Sequence, residues 1–202
     1  TPANFIPAVG LVVIPIAGGP LVGQLQGSAR DLALLTNVVG FGAGSLMYFG
    51  LLALTLQRKY LGKPAFGILA PTVWIQLAPI SVIPVSLLNL AEQLPVPVAN
   101  NGLLLVGLLF WGFGVWWVVM ASLLTAAAQR RRMLPFALSW WGFTFPLGSF
   151  VACSFRLGRM SGLVGVEWIG IACWGLLVVL WLLTLAQTLR AVVSGTIFRP
   201  PA

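Results

Sequence analysis

The sequence predicts an all-α integral membrane protein made of three repeated helical hairpins. Three observations carry that prediction. The first is composition: 59% of the residues are hydrophobic and 7% charged, against about 25% charged in an ordinary soluble domain. With a mean hydropathy of +1.02, the chain has too little polar surface to face water all round. The second is length. At roughly 20 apolar residues per crossing, about six spans and short loops fill the 202 residues. The chain therefore reads as one transmembrane domain, 1–202. The third is an alternation of proline-bearing and proline-free spans.

The first span, about Ala3 to Val22, holds Pro7, Pro15 and Pro20 with Gly10, Gly18 and Gly19, and cannot be one straight helix. The second, about Leu32 to Leu56, has no proline and no charge. Its Gly40, Gly42, Gly44 and Ser45 allow close helix approach. The third, about Gly67 to Leu90, again carries three prolines, Pro71, Pro79 and Pro84. The fourth, about Leu103 to Ala128, is proline-free and rich in Leu, Val and Trp. The fifth, about Ala137 to Phe155, contains Pro146 within an aromatic stretch, SWWGFTFPLGSF. The sixth, about Leu163 to Leu189, is proline-free with Glu167 near its start.

The proline-bearing spans resemble one another in detail. Pro7, Val9, Pro15 and Ile16 recur 64 residues later as Pro71, Val73, Pro79 and Ile80, and Pro146 follows Pro79 by 67. A repeat at this period is that of a helical hairpin. Proline removes a backbone hydrogen bond, and lipid cannot satisfy the freed carbonyl. The proline-kinked spans are therefore expected inside and the uniformly apolar spans outside, against lipid.

Charge sets the orientation. Arg58, Lys59, Lys63, Arg130, Arg131, Arg132, Arg190 and Arg199 fall in one set of loops with no acid among them. Arg30, Arg156 and Arg159 fall at the other end, with Asp31, Glu92 and Glu167. By the positive-inside rule the first set, and the C-terminus with it, is cytoplasmic. The net charge of +8 then reflects topology and the lipid surface, not nucleic acid. No charged region with a cleavage site precedes the first span. The apolar start at Thr1, without a methionine, leads us to expect a piece of a longer protein.

Candidate functional residues follow from this division. Thr72, Gln76, Thr144 and Ser149 are polar side chains in kinked spans, beside Pro15, Pro79 and Pro146, and are pore-lining candidates. Two readings of the hydroxyls stand: they line a path, or they bond carbonyls of the preceding turn. No ionisable residue lies at mid-depth in a kinked span, which speaks against a proton relay there. Arg156 and Arg159 end the fifth span. They either draw anions to an outer mouth or snorkel to headgroups, and Glu167 is placed to pair with one of them. Trp140 and Trp141 suit an interfacial aromatic belt. Cys153 and Cys173 read as small apolar residues. The chain has no histidine. It also has no paired carboxylates at helical spacing and no phosphate-binding glycine loop, so no catalytic residue, metal site or cofactor is expected.

FIPAVGLVVIPIAG (Phe5–Gly18), APTVWIQLAPISV (Ala70–Val82) and above all WWGFTFPLG (Trp140–Gly148) resemble the tellurite-resistance/dicarboxylate transporter family. That family includes tellurite-resistance membrane proteins, malate transporters, sulfite exporters and the slow-type anion channels of guard cells. The resemblance covers essentially the whole chain. It implies ten helices in five hairpins around a pore, often as a homotrimer, with this chain supplying the last three hairpins. It implies transport of a small anion: an inorganic anion, sulfite or a C4-dicarboxylate such as malate. It further implies a multi-pass protein of the plasma membrane, here a bacterial inner membrane. In the channel members a phenylalanine plugs the pore. By motif that position falls on Phe145, with Phe143 as the fallback, while a phenylalanine packed between helices is the other reading. The contrasting function is a non-transporting membrane scaffold whose kinks serve packing alone.

Overall fold

A computed structural model describes residues 2–61, 67–94 and 100–195. Of the expected cytoplasmic anchors, the side chain of Lys59 and the residues Lys63 and Arg199 lie outside the described residues. The described chain is mostly helical, without a strand, and residues 131–137 between helices are turn and coil. The helices are α1 (Ile6–Gln24), α2 (Gly27–Leu61), α3 (Leu77–Gln93), α4 (Asn100–Arg130), α5 (Thr144–Ser161) and α6 (Val164–Val193). Short 3-10 segments, Pro2–Phe5, Gly67–Gln76 and Leu138–Phe143, lead into α1, α3 and α5.

Among the described residues, five stretches are long and apolar enough to cross a bilayer: Ile6–Gln24, Gly27–Arg58, Ala70–Gln93, Asn101–Arg130 and Val164–Val193. The fifth predicted span is not among them. α5 is 18 residues long and carries Arg156 and Arg159. It reaches the length of a crossing, about 20 residues, only with the preceding 3-10 segment. The proline-free helices are longer than the prediction. At about 1.5 Å per residue, the 35 residues of α2 extend about 52 Å, beyond a hydrocarbon core of about 30 Å.

Local chemistry explains the change of helix type. Pro79 and Pro146 are each the third residue of an α-helix. An N–H at that position has no carbonyl within its own α-helix, so proline removes no bond there. Pro15, Pro20 and Pro84 stand deeper within helices, and each leaves the carbonyl four residues back without its partner. Neighbouring helices approach these breaks. Gly40 of α2 lies against the Leu11 carbonyl. The Ser86 hydroxyl donates to the Val12 carbonyl, and Gln93 Nε2 donates to the Pro15 carbonyl at 3.4 Å.

α1 packs along α2 and α5 along α6, while α3 packs against α1, α4 and α5. The Ala70–Gln93 span is 78% buried, against 17–28% for the other four, so α3 is the core of the described structure. α2, α4 and α6 each present one stripe inward and apolar side chains such as Leu46, Leu109 and Leu182 outward. The inward stripe of α4 holds Gly107, Gly114 and Trp117; a Cβ on Gly114 would meet the Phe150 ring. Trp117 Nε1 donates to the Val73 carbonyl at 3.0 Å, near the junction where α3 begins.

Candidate functional site

The site is built on the face of α5 that the described chain covers least, touched there by the end of α3 at Arg156. Each other face has a partner. Phe143, just before α5, meets Trp74 edge-on with ring centroids 5.9 Å apart. Phe150 stacks on Trp111 of α4 at 6.3 Å, and Trp111 Nε1 donates to Ser154 Oγ at 2.9 Å. Gly148 and Gly158 give room to Leu177 and Glu167 of α6. Leu147, Cys153 and Leu157 are fully buried.

That packing leaves a stripe spaced four, three, four and three residues apart: Phe145, Ser149, Ala152, Arg156 and Arg159. This spacing keeps side chains on one side of a helix. Phe145 is 56% exposed, Ala152 and Arg159 are exposed, and Ser149 and Arg156 are half-buried. Phe145 and Arg156 stand eleven residues apart, about three full turns or 16 Å. An exposed aromatic ring thus marks one end of the stripe and two guanidinium groups the other.

The two phenylalanines near Pro146 differ sharply in placement. Phe143 is 1% exposed and wedged between Trp74 and Trp140, whereas Phe145 stands free. Trp140 is held by an Nε1 bond to the Pro135 carbonyl at 3.1 Å and by the Phe136 ring.

The remaining candidates do not gather around this stripe. Thr72 is buried and Gln76 is fully buried. Gln76 Nε2 donates to Tyr48 Oη of α2 at 3.2 Å, while its Oε1 has no hydrogen-bond partner. Pro15, Pro79 and Pro146 are buried in α1, α3 and α5. Thr144 Oγ1 donates to the Trp141 carbonyl at 2.8 Å, and Ser149 Oγ to the Phe145 carbonyl at 2.9 Å. Both hydroxyls therefore make the local bond to the preceding turn, and Ser149 does so while on the stripe. Cys153 and Cys173 are buried free thiols.

One pairing differs from the expectation. Arg156 joins Glu92 of α3, Nη2 to Oε1 at 3.0 Å, and not Glu167. Its Nη1 also donates to Asn89 Oδ1. Helix geometry gives the reason. Glu167 packs over Gly158, two residues past Arg156, and two residues turn a helix by about 200°. Arg156 therefore points away from Glu167. Arg159 Nε donates to the Phe155 carbonyl at 3.1 Å. The polar residues closing α3, Asn89, Glu92 and Gln93, went unremarked in the sequence as a cluster. Gln93 Oε1 accepts from Asn37 Nδ2 of α2 at 2.7 Å, so this end of α3 is tied by side-chain bonds to both α2 and α5.

A family model described as voltage-dependent anion channel matches residues 1–189. An uncharacterized transporter of Methanocaldococcus jannaschii is 39% identical over 198 residues, covering 98% of this chain and 58% of the relative. A second uncharacterized transporter of the same organism is 38% identical, covering 98% and 57%. A sulfite efflux pump of Arthroderma benhamiae is 24% identical over 213 residues, covering 98% and 56%. The chain thus spans somewhat more than half the length of these relatives. No solved structure matches.

Proposed function

The chain belongs to the voltage-dependent anion channel family, and from that premise we propose that it forms part of a transmembrane path for small anions. The least covered face of α5 carries the reading. Two arginines and an exposed phenylalanine share one stripe of a helix packed on its other sides. Arginine facing hydrocarbon is costly. The Arg156 head, moreover, is held by Glu92 and Asn89 of α3, so it does not reach out to headgroups. Such a face suits water and anions better than acyl chains.

In this reading Phe145 is a steric gate, and Arg156 and Arg159 sit at the outer mouth. The basic loop after α4 and Arg190 near the end of α6 stay cytoplasmic by the positive-inside rule. The substrate is a small inorganic anion, sulfite or a C4-dicarboxylate, sulfite being named for one relative. The protein works in the plasma membrane, with trimeric assembly part of the same proposal. The test is anion flux into liposomes holding the full-length protein. Phe145→Ala raises flux severalfold, whereas Phe143→Ala, which empties a packed site, lowers the yield of folded protein without opening the path. Unchanged flux in folded Phe145→Ala protein removes Phe145 from the gate.

A further inference from the structure

We infer that Glu92 is a tethered competitor for the anion at Arg156. The inference rests on the reading that the least covered face of α5 meets the anion path. Both terminal nitrogens of Arg156 are engaged, Nη2 by the Glu92 carboxylate at 3.0 Å and Nη1 by Asn89 Oδ1. A carboxylate is itself a small oxyanion, and arginine binds all oxyanions through the same N–H donors. Glu92 therefore occupies the position that an arriving oxyanion would take.

The two partners are unequally held. The side chain of Glu92 is 68% exposed and that of Arg156 27%. Glu92 is the penultimate residue of α3, and the chain turns extended at Leu94 directly after it. Swinging Glu92 into water uncovers little, whereas moving Arg156 breaks its contact with α3. Asn89 is neutral and stays behind, so the guanidinium remains positioned when the carboxylate leaves. An ion pair this open to water favours its closed form by only about two- to fivefold. An external anion can therefore displace Glu92, and the carboxylate reseats once the anion moves on. Its effect is to weaken binding at the mouth, which a conduit needs for release as well as entry.

The test is the concentration dependence of initial sulfite flux in liposomes containing the full-length protein. Glu92→Gln lowers the half-saturating concentration about two- to fivefold. Arg156→Gln raises it, and adding Glu92→Gln to Arg156→Gln changes nothing more. Glu92→Asp, which keeps the charge on a shorter arm, falls between wild type and Glu92→Gln, and serves if the glutamine variant does not fold. If Arg156→Gln raises half-saturation while Glu92→Gln leaves it unchanged or raises it, the competitor role is wrong and the mouth assignment survives. If Arg156→Gln leaves half-saturation unchanged, the reading of the α5 face fails, and the competitor role with it.

Discussion

Substituting Gly44 tests the packing that sets α2 against α1. An ideal Cβ at Gly44 would lie 2.6 Å from Val12 Cγ2, 2.7 Å from the Ala8 carbonyl oxygen and 2.8 Å from the Val12 nitrogen. Two of those three atoms are backbone, so no rotamer change relieves the clash. Favourable contacts between carbon atoms lie at about 3.5–4.0 Å, so the helices must part by roughly 0.7 Å or more along this stretch. A gap of that size forfeits about a quarter to a half of the dispersion attraction at each affected contact. Gly44→Ala is therefore expected to destabilise by about 1–3 kcal/mol, as overpacking does. Gly42 and Gly50 stand on the same helix with nothing within 4 Å. Alanine there should be neutral or stabilising by up to about 1 kcal/mol through helix propensity. Unfolding in mixed micelles titrated with a denaturing detergent ranks the three variants. A Gly44→Ala protein as stable as wild type, or a Gly42→Ala protein weakened as much, would refute the assigned face of α2.

Two further predictions concern buried polarity and the least covered face of α5. Tyr48→Phe removes the acceptor for Gln76 Nε2, and Gln76 Oε1 already lacks a partner. A fully buried amide is then unpaired at both ends, lowering stability by about 1–3 kcal/mol. Adding Gln76→Leu recovers much of that loss, and simple additivity of the two substitutions in a double-mutant cycle would show that the pair does not interact. In a background without Cys153 and Cys173, cysteines placed at Ser149 and Ala152 should react with a water-soluble thiol reagent in the folded, membrane-embedded protein. A cysteine at Gln76 should be protected. Equal protection at all three positions would favour a dry scaffold over a wet path.

Much of the architecture was legible in the chain. Proline-bearing and proline-free spans separate by eye, and α1, α3 and α5 do contact one another in that order. Gly40 and Gly44 announce a close approach, although the sequence does not say that Gly42, between them, points elsewhere. The site was legible in part. Phe145 and Phe143 differ by two residues and look alike in sequence, yet one is 56% exposed and the other 1%. Thr72 and Gln76 are polar residues of a proline-bearing span, but both lie in the 3-10 segment Gly67–Gln76, which packs against Leu138–Phe143, α4, Pro2–Phe5 and α5, and burial follows from that position.

Composition, span length and proline placement are properties of the chain read locally. They determined by themselves that this is an all-α membrane protein, but not which proline-bearing span lies inside: Ala70–Gln93 is 78% buried, whereas Ile6–Gln24, expected inside with it, is 28% buried, close to the apolar spans. Partner choice was decided only in three dimensions. Arg156 lies eleven residues from Glu167 and 64 from Glu92, yet it binds Glu92. The reason is rotational: a helix carries Arg156 and the surface that meets Glu167 on opposite sides, and the docking of α3 onto α5 brings the distant carboxylate within 3.0 Å.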